Sequence, residues 1–235
     1  MSENKRRIKG NMWYFFWKRV FDIFFSFLAI LILLLPMMIV GIIVKITSKG
    51  PMIFKDRRVG KNKKIINVYK FRSMYIDAEE NIDKYLTPEQ KEIWLRERKL
   101  DNDPRITKFG KFIRKTSLDE LPQLFNILFG QMSFVGTRPI TIHELKDNFT
   151  DEQQKIIVSG KPGLTGYAQI HGRDELEIKE KAALDGYYVE HLGFKMDCKC
   201  FFGTIKAVLK HDGVVEGGTG AIKKEEAIKE EEENK

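Results

Sequence analysis

Residues 23–44 form a run of 22 residues without one charged side chain, rich in Phe, Ile and Leu. As a straight helix this run is about 33 Å long at roughly 1.5 Å per residue, enough to cross a bilayer. It is too long for a signal-peptide core, and no small-residue cleavage site follows it, so the chain is expected to keep it. The flanks then constrain its topology. Residues 1–19 carry six Lys or Arg and residues 45–64 carry eight. Basic flanks favour the cytoplasmic side, and here both ends are basic. Pro36 lies between them; it removes a backbone donor and crowds the preceding turn. The expectation is a helix–break–helix over residues 20–46, broken at Pro36, that dips into one leaflet and returns. An ordinary kinked spanning helix is the competing reading. Trp13, Tyr14, Phe15, Phe16 and Trp17 precede the run as an interfacial aromatic belt.

The rest of the chain is charged. Its formal net charge is +8 over 235 residues, which points to an anionic partner: nucleic acid, anionic lipid or a phosphorylated substrate. Residues 223–235 hold six Glu against four Lys, so residues 1–222 carry +10. Residues 214–235, lacking apolar periodicity, are expected to be a solvated, charged tail. The two cysteines, Cys198 and Cys200, lack the partners of a zinc site and are spaced poorly for a disulfide, so reduced thiols in a cytosolic setting are expected.

Between helix and tail, residues 47–213 read as a single cytosolic domain of α+β class, mostly helical. Residues 52–59 and 65–74 are two extended runs joined by a polar loop, a β-hairpin carrying Arg57, Arg58, Lys70 and Arg72. Lipid headgroups are one use for those cations. Residues 75–100 suggest surface helices broken at Thr87-Pro88. Residues 101–105 make a turn, and 106–113 an amphipathic segment. Residues 130–138 and 161–166 are Gly-containing loops, the second leading into a short strand at 167–170. Residues 175–188 read as helix, and 194–209 as an amphipathic helix suited to an anionic bilayer.

The stretch with the most chemistry is Thr116-Ser117-Leu118-Asp119-Glu120-Leu121-Pro122-Gln123, an acidic pair at an expected helix start, preceded by Lys108, Lys111, Arg114 and Lys115. A carboxylate among cations at a helix N-terminus can stay ionised beside a bound phosphate. Ser117 with Glu120 three residues on is also a capping box, which needs no catalysis. Arg138, in a Gly-flanked and Pro-ended loop, suits a bidentate phosphate contact or a simple turn.

Several motifs in order identify a resemblance: Lys18-Arg19-Val20-Phe21-Asp22, Tyr69-Lys70-Phe71-Arg72-Ser73-Met74, Asp103-Pro104-Arg105-Ile106-Thr107, the acidic octapeptide, Met132-Ser133-Phe134-Val135-Gly136 with Arg138-Pro139, Lys161-Pro162-Gly163-Leu164-Thr165-Gly166, and Leu184-Asp185-Gly186-Tyr187-Tyr188-Val189. Across about residues 15–213 the chain resembles the bacterial sugar transferases, in their small form without an additional large membrane domain. These are monotopic polyprenyl-phosphate phosphoglycosyl transferases that begin capsule, exopolysaccharide and glycoprotein glycan synthesis at the cytoplasmic face of the inner membrane. The resemblance implies transfer of a sugar-1-phosphate from a UDP-sugar to polyprenyl phosphate, with release of UMP. It implies Asp119 as nucleophile and Glu120 as a ligand of Mg²⁺. It places Lys70, Arg114 and Arg138 as phosphate-handling cations and Asp197 as a further functional acid.

The implied partners are a nucleotide-sugar, polyprenyl phosphate and membrane lipid. Downstream glycosyltransferases and a second copy of the chain stay open as protein partners. Two departures stand out: Leu35-Pro36 replaces the family's usual Ser-Pro, and Gly136-Thr137-Arg138-Pro139 its usual Gly-Pro-Arg-Pro, which leaves the loop less rigid. The alternative is a non-catalytic membrane-surface scaffold that binds anionic lipid; it gives Asp119-Glu120 no role. The apolar run argues against a nucleic-acid binder.

Overall fold

The computed structural model describes residues 12–97, 100–172, 176 and 178–210; the expected tail and most of the basic N-terminal segment lie outside them. Its first element, α1 (Met12–Thr47), is one helix of 36 residues. One stripe of it is buried: Tyr14, Asp22, Ser26, Ile30, Met37, Val40 and Val44, at helical spacing. The opposite face leaves Phe24, Phe25, Phe27, Leu31, Ile32 and Leu35 exposed. In water those six would forgo on the order of 5–10 kcal/mol of burial, a sum comparable with a whole domain's stability. The exposed face therefore belongs in lipid, and α1 associates the chain with a membrane.

The interruption expected at Pro36 is not present: α1 is helical through that residue. A proline removes one i→i−4 bond and leaves the neighbouring bonds intact, so it need not end a helix. Pro36 also sits on the exposed face, away from the packed stripe.

The domain is assembled along α1. The hairpin β1 (Ile53–Val59) and β2 (Ile65–Phe71) pairs antiparallel from Ile53 opposite Phe71 to Val59 opposite Ile65. Two short helices follow, α2 (Ile82–Tyr85) and α3 (Pro88–Glu97), then α4 (Lys108–Lys115) and α5 (Gln123–Leu128). Helices α6 (Ile142–Asn148) and α7 (Asp151–Ile157) lie between β3 (Ser133–Val135) and β4 (Gly163–Thr165), which pair parallel. Helices α8 (Ile178–Glu190) and α9 (Phe194–Lys210) end the described chain.

Met37, Val40 and Val44 pack with Phe71 and Ile113, and Ile30 with Val68, Leu124, Ile127 and Met132. The membrane helix is thus part of the domain's own core. Its N-terminal end is fixed by polar contacts. Arg19 donates through Nη1 and Nη2 to the carbonyls of Ile127 and Leu128, at 2.7 and 2.8 Å, capping the end of α5. Asp22 accepts from the Ser133 hydroxyl and the Phe134 N–H, both at 3.0 Å, which ties α1 to β3.

Packing runs from Tyr14 to Val44, so the domain touches both ends of α1. The proposed topology, with both basic flanks on one side of the membrane, has a direct test. In a protein with Cys198 and Cys200 replaced, cysteines introduced at Met12 and Asn62 should react with an impermeant thiol reagent from the same side of sealed vesicles. Reaction of the two from opposite sides would establish a spanning helix instead.

Candidate active site

The acidic pair is presented by a tight turn between two helices. Thr107 caps α4 by accepting from the Gly110 N–H at 2.8 Å. Gly110 lies so close to the Ser73 carbonyl that a Cβ there would collide with it. Helix α4 is thereby held against the end of the hairpin, and Arg114 in its last turn donates through Nε to Ser73 Oγ at 2.8 Å.

After α4 the chain turns sharply. Ser117 adopts a left-handed conformation, φ 55°, and Leu118–Glu120 form a single 3₁₀ turn before Pro122 starts α5. The expected capping box is absent, because the Ser117 side chain makes no cap hydrogen bond. A non-glycine residue held in this region costs about 1 kcal/mol or more, and such strain gathers at functional turns. Its result here is that Asp119 points inward and is 91% buried, while Glu120 beside it stays half-exposed.

The turn is clamped from the far side by Asn126 of α5. Its Oδ1 accepts from the Tyr69 N–H at 2.9 Å and its Nδ2 donates to the Asn67 carbonyl at 2.7 Å. Asn126 is completely buried and fully bonded, so it fixes α5 against β2, the strand that carries Lys70. Lys70 is held in turn by Asp56 of β1, at 3.9 Å.

The electrostatics follow from this placement. Burial pushes the Asp119 carboxyl up to about 6, and the Glu120 charge pushes the same way; Lys70 and Arg114 oppose them. Four of the expected site residues, Lys70, Arg114, Asp119 and Glu120, therefore act on one another. The arrangement is a carboxylate poised near neutrality, flanked by a second acid and two cations that a diphosphate could bridge.

The other two expected site residues make hydrogen bonds outside this turn. Asp197 of α9 accepts from the Tyr14 hydroxyl (2.9 Å), the Lys18 ammonium (2.6 Å) and the Tyr188 hydroxyl (2.8 Å). Its partners lie in α1 and α8, and it joins those helices to α9. Arg138 follows β3, where Gly136 and Gly163 approach so closely that a Cβ on either would meet the other loop's backbone. The Arg138 N–H donates to Asp185 Oδ2 at 3.2 Å. Asp185 lay inside a motif, but nothing in the sequence singled it out; only burial and contact do.

Among the described residues no group of three or more His, Cys, Asp or Glu forms a metal cage. That fits a magnesium ion, which is commonly held by one or two carboxylates together with substrate phosphates. Glu120, half-exposed beside Asp119, is the carboxylate that could hold one.

Residues 13–211 match the family described as bacterial sugar transferase. The chain belongs to that family. Among its sugar-transferase relatives, the undecaprenyl-phosphate galactose phosphotransferase of Salmonella typhimurium is 43% identical over 201 residues, covering 84% of this chain and 41% of that protein. The UDP-glucose:undecaprenyl-phosphate glucose-1-phosphate transferase of Klebsiella pneumoniae is 44% identical over 200 residues, covering 80% and 39%. The exopolysaccharide production protein ExoY of Rhizobium meliloti is 37% identical over 193 residues, covering 81% and 84%. The chain thus spans about two-fifths of the first two relatives and most of the third.

For this family member, the geometry of the acidic turn sets a clear expectation. Asp119 has a folded pKa above its usual value, so its contribution to stability is favourable only at low pH and is lost as pH rises through about 6. Asp119→Asn should therefore melt at the same or a higher temperature than the parent at pH 7.5, by an upper bound of roughly 3 kcal/mol. Ser117→Gly, which suits a left-handed turn, should not lower the melting temperature either. Differential scanning calorimetry would show both, and a marked loss of stability in Asp119→Asn would contradict the buried-charge account.

Proposed function

We propose that the chain transfers a sugar-1-phosphate from a UDP-sugar to polyprenyl phosphate at the cytoplasmic face of the inner membrane, through a covalent intermediate on Asp119. The observation that carries the proposal is the buried Asp119 carboxylate set against Lys70 and Arg114 at the end of the hairpin where β2 finishes. The names of the relatives support the substrate classes, and their connection to exopolysaccharide production supports a first membrane step in glycan assembly.

The residues divide the work as follows. Lys70 and Arg114 neutralise the donor's diphosphate, so that an anion can approach it. An oxygen of ionised Asp119 attacks the phosphorus that carries the sugar. The bond from that phosphorus to the bridging oxygen breaks, and UMP departs with the electron pair. The oxygen of polyprenyl phosphate then attacks the same phosphorus, and the Asp119 carboxylate leaves. Splitting the transfer in two lets donor and acceptor use one site in turn. A magnesium ion held by Glu120 and phosphate oxygens would supply further charge neutralisation when bound. Arg138 lies in its own loop and is assigned to the donor's phosphates as a planar, two-pronged donor. The lipid acceptor reaches the site because α1 sits in one leaflet with both ends on the cytoplasmic side.

UMP release from UDP-glucose or UDP-galactose with undecaprenyl phosphate in vesicles tests the reading. Asp119→Asn should abolish release, since an amide is a poor nucleophile, and Glu120→Gln should lose at least tenfold. For the parent, kcat/KM should fall tenfold per pH unit below an apparent pKa near 6, as Asp119 takes up a proton. Arg138→Lys should also lose more than tenfold, because a lysine keeps the charge without the fork. Wild-type turnover by Asp119→Asn would remove Asp119 as the nucleophile, whereas no UMP release by the parent would leave the lipid-binding scaffold.

A further inference from the structure

We propose that Asp185 is a positioning residue of the donor site: it acts through Arg138, holding residues 136–139 so that the guanidinium meets the donor's phosphates. The proposal rests on the reading above that Arg138 handles phosphate.

The observation behind it is a carboxylate in a costly place. Asp185 lies within α8, 97% buried, and only one of its oxygens is used: Oδ2 accepts the Arg138 N–H, while Oδ1 is buried with no hydrogen-bond partner. A buried, half-satisfied acid is a stability loss that an apolar residue would avoid. Burial alone does most to push its carboxyl up, to about 7, and Glu144 of α6 adds repulsion; the attraction that opposes them comes from Arg138, through its backbone N–H and its charge. Cys200 of α9 also acts on Asp185 across an element boundary; its thiol is pushed up to about 12, chiefly by burial. Among the described residues, the hydrogen bond that the Asp185 carboxylate accepts is the one from Arg138.

The loop itself shows why that contact matters. Three successive residues are tied to three different elements. The Gly136 N–H donates to the Thr165 carbonyl of β4 at 2.8 Å, and the Thr137 hydroxyl to the Ile157 carbonyl of α7 at 3.3 Å. The third tie is Arg138 to Asp185 of α8. The first two are neutral and lie short of Arg138. The third is charged and bonds the backbone of the residue whose side chain must be aimed. A guanidinium on a long side chain is placed by its Cα, and an error of about 1 Å there is enough to cost catalysis heavily. Thr137, which does not lock its φ as a proline would, leaves more of that aim to Asp185.

The test uses the full-length protein in vesicles, with UDP-glucose and UDP-galactose as donors. Asp185→Ala should raise the donor KM at least tenfold while kcat changes less than about threefold. Asp185→Asn, which keeps an acceptor for the Arg138 N–H, should recover most of that loss at neutral pH. It should also lack the rise in donor KM that the parent shows as pH falls through about 7. In an Arg138→Ala background, Asp185→Ala should add less than twofold, because two residues acting as one are not additive. A parental KM in Asp185→Ala, or the same penalty with and without Arg138, would overturn the proposal; the second result marks a merely structural acid. If the parent turns over neither donor, the functional reading fails. Hydrogen exchange then decides for Asp185: faster exchange confined to residues 136–139 in Asp185→Ala supports it, and unchanged or global exchange overturns it.

Discussion

The structure depends on a single helix serving two solvents. One stripe of α1 completes the protein core and the remaining surface faces lipid, so the domain cannot be separated from its membrane anchor without losing part of its interior. Ile30, Met37, Val40 and Val44 are core residues as much as Val68 or Ile113 are. Dispersion and apolar burial hold that stripe, but they do not set its register. Register comes from Arg19 on the last carbonyls of α5 and from Asp22 on β3, contacts that a one-residue slip would break.

That register passes to the site through α5. Arg19 fixes its C-terminal end, Asn126 fixes its middle to β2, and the strained Ser117 turn feeds its start. Asp119 is therefore positioned by elements packed on α1, the helix whose other face is exposed and apolar. A carboxylate meant to meet a lipid-borne phosphate gains from such construction, since depth in the membrane and position in the site are set by the same contacts. The strain at Ser117 and the buried charge at Asp119 are the stability costs of that arrangement, the second on the residue assigned to chemistry and the first two positions before it.

Much of the fold was legible in the sequence where a segment carries its own pattern. The apolar run, the hairpin, α8 and α9 were readable from periodicity and turn residues, and the acidic pair from its company of cations. Other parts were hidden for physical reasons. Helices α6 and α7 were missed although each begins with a capping box, Thr141 with Glu144 and Thr150 with Gln153. The box anticipated at Ser117 and Glu120 does not form, because Ser117 is left-handed. The motif marks a helix start only when the backbone before it is extended. Strand β4 falls at Gly163–Thr165, where a loop was expected, and the strand anticipated at 167–170 is largely a 3₁₀ turn at Gln169–His171. Three-residue parallel strands owe their existence to a distant partner, and no local pattern announces them. Asp197 is bonded to Tyr14, Lys18 and Tyr188, a network spread over 183 residues that sequence spacing cannot show.

The central claim is that Asp119 carries the phosphosugar. The most direct test is the mass of the peptide that holds it after the protein meets UDP-glucose or UDP-galactose and Mg²⁺ without any polyprenyl phosphate. The tryptic peptide runs from Thr116 to Lys146, since trypsin does not cut before Pro139, and contains three carboxylates, Asp119, Glu120 and Glu144. The account predicts one added hexose phosphate on that peptide, at most one equivalent of UMP released, retention of the adduct in Glu120→Gln and its loss in Asp119→Asn. An unmodified peptide from a preparation that turns over once acceptor is added would contradict it, and direct attack of the lipid phosphate on the donor would take its place.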